Sequence, residues 1–235
     1  MSQLPILILP GTLCTGAMFT HQVNHLAALC DNIKVVQFTT EKTLVEMAEK
    51  VIVAANNKPC ALIGFSMGGI VAIALAKTRP DLIAKLALVN SNCHGDLPER
   101  KAPRAAQIKQ ARSGAFTDLI TKTFLPNYLY TTNSQHEKTI VDMAETLGAH
   151  CFEAQALALE GRDDSLSTLE KLDVEVLIIG GMQDKICPAQ HQKMMHEALK
   201  HSEIALLEEC GHFSPLEQAE QVSALLAKWY SSHSL

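Results

Sequence analysis

The chain reads as an α/β protein: a mostly parallel sheet of about six strands, flanked by helices on both faces, with a helical insertion over one end. Three observations predict this. Short apolar runs alternate with amphipathic, helix-period stretches from the N-terminus to about residue 91. The same rhythm resumes near residue 173. Between them lies a more polar, helix-like stretch with no strand-like run.

In order along the chain, Leu4 to Leu9 is a buried strand, apolar at nearly every position and ended by Pro10-Gly11. Ala17 to Leu29 follows as a helix, with Val23, Leu26, Ala27 and Leu29 on one stripe. Ile33 to Phe38 is the second strand, and Thr43 to Ala55 the next helix. Cys60 to Phe65 is a third strand; Met67 to Lys77 is a helix that stops near Arg79-Pro80. Leu82 to Asn90 holds a fourth strand, expected from Lys85 onward. From Asn92 to Leu172, breaks fall at Pro98, Pro103, Gly114, Pro126, Gly148 and Gly161. Val174 to Ile179 is the next strand, Pro188 to Leu199 a helix, and Glu203 to Leu207 the last strand. Pro215 to Tyr230 closes the chain as one amphipathic helix carrying the only tryptophan, Trp229. The expected division is a core of residues 1–91 and 173–235 with a cap insertion of residues 92–172.

Bulk properties exclude several functions. At 235 residues the chain fits one domain with a full core, and its 47% hydrophobic and 19% charged residues are those of a globular protein. A net charge of −5 gives no electrostatic reason to expect nucleic acid or an anionic membrane as partner. The seven cysteines have no C-x-x-C pair, which suggests free thiols in a reducing compartment. The N-terminal apolar run lacks a preceding cation and is interrupted by Pro5, Pro10 and Gly11, so neither a signal peptide nor a membrane span is expected. A cytoplasmic location follows as the expectation.

The most specific local pattern is Gly64-Phe65-Ser66-Met67-Gly68, set between an apolar strand and a helix. An abrupt strand-to-helix turn strains its apex residue and needs small neighbours, because a Cβ at 64 or 68 would crowd it. It lifts the Ser66 hydroxyl clear of the backbone and aims the Met67 N–H and the helix N-terminus at the same point, where an oxyanion would be stabilised. A phosphate-binding glycine loop is the competing reading, but the Walker lysine and the dinucleotide glycine spacing are both missing.

Serine needs a base, and imidazole has the right basicity at neutral pH. Of ten histidines, His212 lies directly after the last strand and before the last helix, with Gly211 permitting close approach. His191, His196 and His201 fit surface positions. Asp184, in the turn after Gly180-Gly181, is the acid that would orient His212, giving the chain order Ser, acid, His. A plain helix-capping aspartate is the alternative there. Asp173 precedes its strand and Asp163-Asp164 lie in the insertion, so both are poorer candidates. The second oxyanion donor belongs to Pro10-Gly11-Thr12-Leu13: the Thr12 N–H, or Leu13 in the other register, although the loop alone reads equally well as an ordinary turn.

Together the Leu-Pro-Gly-Thr loop, Gly-Phe-Ser-Met-Gly-Gly, Gly181 to Pro188 and Gly211 to Glu217 resemble the motifs of the α/β-hydrolase fold family, in particular its small bacterial cap-bearing serine hydrolases and carboxylesterases. The resemblance spans the chain except the generic insertion. Two departures stand out: the sequence starts at what is usually the third strand, and Pro10 replaces the common histidine before the oxyanion glycine. The resemblance implies hydrolysis of a small-molecule ester or thioester through an acyl-enzyme on Ser66, with no metal or organic cofactor. A lyase or C–C bond hydrolase using the same triad is the alternative, and a non-catalytic binding protein on this scaffold is a third reading. Leu13, Phe65 and Phe213 are candidate substrate contacts, with Phe65 equally suited to the core. Phe116, Leu119, Phe124, Leu125, Tyr128, Leu129, Phe152 and Leu157 would line an acyl pocket or simply pack the cap. Arg104, Arg112 and Arg162 would read a carboxylate or carrier phosphate, or lie on the solvated surface. Oligomeric state is not encoded in any pattern found.

Overall fold

The computed structural model describes residues 3–232, so Met1 and Ser2, part of the N-terminal run, lie outside the described residues. Six parallel strands form one sheet in the order β2-β1-β3-β4-β5-β6. They are β1 (Ile6–Leu9), β2 (Ile33–Val35), β3 (Cys60–Phe65), β4 (Ile83–Val89), β5 (Glu175–Gly181) and β6 (Ser202–Leu207). Between and after them run α1 (Thr20–Leu26), α2 (Leu44–Ala54), α3 (Met67–Thr78), α9 (Ala189–Ala198), α10 (Ser214–Glu217) and α11 (Ala219–Ser231). The β4-to-β5 connection holds α4 (Pro98–Lys101), α5 (Arg104–Arg112), α6 (Phe116–Asp118), α7 (Ser134–Ala158) and α8 (Leu166–Leu169), without a strand among them.

Strand residues alternate between two cores, as the two-residue period of a strand requires. Leu7, Leu9, Leu62, Leu86, Leu88 and Ile178 pack with Val51 of α2, Val71 of α3 and Met195 of α9. Ile6, Ile8, Ile63, Val89 and Ile179 pack on the other face with Leu26 of α1 and Leu226 and Trp229 of α11. Both faces are covered, which is why the strands read as continuous apolar runs. Helix α2 starts where its sequence says: Thr43 and Glu46 form a reciprocal capping box.

Several boundaries differ from expectation for physical reasons. Strand β4 begins at Ile83, before Lys85, because this lysine is buried inside the strand with its Nζ 2.9 Å from the Glu175 carboxylate and 2.8 Å from the Trp229 carbonyl. Strand β2 stops at Val35, since it is an edge strand and the chain then turns toward Cys14, whose carbonyl accepts from Gln37 Nε2 at 2.9 Å. The first helix is shorter than its stripe, with a 3₁₀ turn over Gly16–Phe19 before α1. The C-terminal helix is two helices broken at Gln218 (φ −129°, ψ 47°). Within α7, Gly148 takes φ +76°, a value open to glycine, and divides the helix into two pieces.

Strand order reverses between β1 and β3: the chain leaves β1 toward β2 and then builds outward from β3 the other way. Loops leaving the carboxyl ends of such a pair diverge, and ligands of parallel sheets bind in the crevice between them. Leu9 pairs with Gly64, so the loops after β1 and β3 emerge side by side.

Candidate active site

Ser66 stands alone between β3 and α3, with φ +51° and ψ −114°. That conformation is strained for a residue with a side chain, by about 1–3 kcal/mol. Contacts on both sides hold it: its N–H donates to the Val89 carbonyl (2.9 Å), and its carbonyl accepts from Ser91 Oγ (2.8 Å). The flanking glycines are obligatory. A Cβ on Gly68 would run into the Leu9 carbonyl, and one on Gly64 would lie 2.6 Å from Gly69 Cα.

His212 Nε2 lies 3.0 Å from Ser66 Oγ, and its Nδ1 lies 2.8 Å from Asp184 Oδ2. A carboxylate only accepts, so Nδ1 carries the proton and Nε2 is left as the base facing the hydroxyl. Three side chains separated by 118 and 28 positions thus meet at the carboxyl end of the sheet.

Asp184 fills its acceptor capacity. Oδ1 accepts from the N–H groups of Ile186 (2.7 Å) and Cys187 (2.8 Å), and Oδ2 accepts from His212 and from Asn90 Nδ2 (2.9 Å). One carboxylate thus caps its own turn and faces the His212 ring at once. Burial alone would raise its carboxyl; the facing His212 and the bonds from His212, Asn90 and Cys187 outweigh burial and hold it below the usual carboxylate value.

The histidine loop is fastened by Glu217, whose carboxylate accepts from the N–H groups of Gly211 (3.1 Å), Phe213 (3.0 Å) and Tyr130 (2.7 Å). The His212 N–H donates to the Tyr128 carbonyl at 2.6 Å. The β4-to-β5 segment therefore abuts the base directly.

After β1, Gly11 brings the loop against the Ser66 turn: a Cβ there would sit 3.2 Å from Ser66 Cβ. Leu13, with φ +55°, donates its N–H to Gln155 Oε1 at 2.9 Å and packs with Phe152 and Ala156, outside the cavity beside Ser66. Its amide is committed to Gln155, and its side chain does not line that cavity. Among the described residues, neither the Thr12 nor the Met67 N–H donates to a protein acceptor.

A cavity of about 330 Å³ opens beside Ser66 and His212. Phe65 and Phe213 line it, with Phe124, Tyr128 and Phe152 of the β4-to-β5 segment. Phe116 and Leu119 pack in a neighbouring cluster instead, and Leu125 and Leu129 pack toward the α1–α11 core. Arg104 and Arg162 also border the cavity, whereas Arg112 is an exposed partner of Glu153. Asp173 pairs with exposed His201 and Asp164 lies 3.8 Å from His94, so neither approaches His212. His191 is half-buried: its ring packs edge-on against His94 at 4.3 Å and its Nδ1 is covered. Among the described residues one trio, Asp184, Cys187 and His212, brings possible metal donors within 4.8 Å. Those carboxylate and imidazole atoms are committed to each other, and burial pushes the Cys187 thiol up to about 12, which opposes the thiolate a metal would need.

Three residues given no role of their own by the sequence reading brace these side chains. Asn90 is fully buried at the end of β4, donates to Asp184 and to the Gly211 carbonyl (3.2 Å), and accepts from Ser214 Oγ. Its signal is a polar residue closing an apolar strand. Glu217 showed only as the end of the histidine-loop motif. Gln155, fully buried on α7, ties the Leu13 N–H to the Phe38 carbonyl (2.7 Å) and has no local signal.

Comparison with known proteins agrees with this architecture. A pimeloyl-[acyl-carrier protein] methyl ester esterase of Neisseria meningitidis is 29% identical over 77% of this chain and 73% of its own length. A thermophilic esterase from Thermogutta terrifontis superposes with a TM-score of 0.87 at 25% identity, over 97% of this chain and 89% of that one. The enol-lactonase of Burkholderia xenovorans LB400 shares the fold at a TM-score of 0.80 and 19% identity, over 98% and 93% of the two chains. The family model described as serine aminopeptidase, S33, matches residues 40–219. The chain belongs to that Hydrolase_4 family of α/β-hydrolases.

Proposed function

We propose that this protein is a serine esterase that cleaves a carboxylic ester or thioester through an acyl-enzyme on Ser66. The observation that carries the proposal is the single imidazole within hydrogen-bond reach of both the Ser66 hydroxyl and the Asp184 carboxylate. Its esterase relatives support the same chemistry.

In the first half-reaction His212 Nε2 takes the hydroxyl proton as Ser66 Oγ attacks the carbonyl carbon. The N–H groups of Met67 and Thr12 receive the oxyanion at the α3 N-terminus. Asp184 stabilises the imidazolium, which then protonates the departing alcohol or thiol. Water repeats the sequence on the acyl-enzyme and frees Ser66. Strain at Ser66 holds its hydroxyl at the crevice rather than against the backbone.

Residues 92–172 act as a cap in this reading, with Phe124, Tyr128 and Phe152 forming the apolar side of the acyl site. The relative from Neisseria suggests a methyl ester on a carrier-linked acyl chain as one substrate form. No described helix is long and apolar enough to cross a membrane. The described cysteines are all free and buried, which suits a reducing compartment such as the cytoplasm. Ser66→Ala should lower turnover of a small aryl ester by at least about 10⁴-fold while leaving the unfolding transition in place. Undiminished turnover in that variant refutes the acyl-enzyme scheme.

A further inference from the structure

We propose that the cavity beside Ser66 selects esters whose acyl chain ends in a carboxylate, held by Arg100 and Arg162. This rests on the esterase reading and adds a substrate class to it.

The cavity is bordered by Arg100, Arg104 and Arg162, and no aspartate or glutamate lines it. Charge bookkeeping behind the wall leaves an excess. Asp96 takes a bidentate pair of bonds from Arg104 (2.6 and 2.7 Å), accepts the Gly161 N–H (3.0 Å), and lies 3.8 Å from Arg162 Nη1. One carboxylate thus serves two guanidiniums, in a setting where the Asp96 side chain is 4% exposed and those of Arg104 and Arg162 are 9% exposed. Two cations against one anion in a low-dielectric interior is a costly arrangement unless a further anion arrives.

Arg104 is consumed by Asp96; Arg162 is not. Its Nε donates to the His94 carbonyl (3.1 Å) and its Nη1 to the Leu159 carbonyl (3.2 Å). Its Nη2 has no protein acceptor among the described residues. Burial pulls this guanidinium below its usual value, and the Asp96 carboxylate opposes that only in part. Arg100, on exposed α4, gives one bond to the Ile186 carbonyl (3.0 Å) and keeps its other nitrogens free among the described residues. Two nearby acids border openings that these arginines share, Glu99 with Arg100 and Arg162 and Asp163 with Arg162, and Glu160 acts on Arg104, but none of the three lines the cavity beside Ser66. Phe124, Phe152, Ala156 and Leu159 supply the apolar remainder, so the wall suits a methylene chain with one anionic end. Planar guanidinium forks match a carboxylate with two parallel bonds.

The test compares monomethyl with dimethyl esters of a series of linear dicarboxylic acids, using the wild-type enzyme, Arg100→Met, Arg162→Met and Arg162→Lys. The wild type should favour the half-ester by about tenfold or more in kcat/KM, mostly through KM, as expected for a charge-assisted contact. Arg100→Met, an exposed change that spares the fold, should erase much of the preference, with a far larger loss on the half-ester than on the dimethyl ester. Arg162→Lys should retain part of what Arg162→Met loses. Binding of the half-ester to Ser66→Ala, followed calorimetrically, reads the same contact without turnover, so a failed nucleophile assignment and a failed anion site give different results. Equal handling of half-ester and diester, or equal losses on both in Arg100→Met, overturns the proposal. So does a preference confined to S-acyl phosphopantetheine over its dephosphorylated form, which would assign the arginines to a carrier phosphate.

Discussion

Gln155 joins three parts of the molecule that the sequence keeps far apart. Its amide bridges the Leu13 N–H in the β1 loop and the Phe38 carbonyl in the loop after β2, from a position on α7. Replacement by leucine conserves the volume and removes both partners. Each buried group left unsatisfied costs about 1–3 kcal/mol, which sums to roughly 2–6 kcal/mol out of a domain stability of about 5–15 kcal/mol. The lower half of that range is expected, because Cys151 Sγ also approaches the Phe38 carbonyl at 3.4 Å. Catalysis should suffer separately. Leu13 holds φ +55° next to Thr12, and without its tie the loop should sample other conformations, carrying the Thr12 N–H away from the oxyanion position proposed for it. Complete loss of one oxyanion donor costs about 10²–10³ in kcat; a loosened donor should cost about 10- to 100-fold, with KM changing far less. Urea titration gives the stability term, and steady-state kinetics on an aryl ester below the unfolding transition gives the other. Gln155→Glu keeps an acceptor for Leu13 and should recover part of kcat. A variant that loses stability but keeps wild-type kcat would show that the tie is structural only and refute the link to the oxyanion loop.

Two further predictions concern the acid end of the site. Asn90→Leu removes a donor from Asp184 Oδ2 and should lower kcat about tenfold while shifting the acid limb of the kcat profile to higher pH, because less holds the carboxylate ionised; an unmoved limb would deny Asn90 its positioning role. Asp96 is lowered from 3.8 to about 2, first by its Arg104 bonds against burial, then by the Gly161 N–H. A depressed folded value means that the stability is present above the ordinary 3.8 and lost as pH falls toward 2, amounting to about 2 kcal/mol. Denaturant titrations of wild type and Asp96→Asn across pH 5 to pH 2 should converge at the acid end; parallel curves would contradict the assignment.

The parts of this protein that were readable in its sequence are those set by local chemistry. Strand β3 was fixed by six consecutive apolar residues, and the turn after it by glycines whose Cβ atoms have no room. Asp184 and His212 stand out in the sequence because each follows a strand at the end of the sheet where Ser66 emerges. What escaped notice acts across long chain separations. Gln155 lies 142 positions from Leu13 and Asn90 lies 94 from Asp184, so no window of sequence contains either pair. For Arg162 the sequence leaves two readings, an anion contact or the solvated surface usual for a charged residue, and only packing shows its guanidinium enclosed behind Asp96. Lys85 misled in the opposite sense, placing the start of β4 late because its partners, Glu175 and the Trp229 carbonyl, come from the far end of the chain.

The most direct test of the whole account is covalent. Treatment with a fluorophosphonate followed by intact-mass and peptide analysis should give one adduct per chain, on Ser66, at a rate reduced at least about 100-fold in His212→Ala and with no adduct in Ser66→Ala. Labelling at another residue, or labelling of Ser66 at an unchanged rate without the imidazole, would contradict the claim that these side chains form one nucleophilic unit.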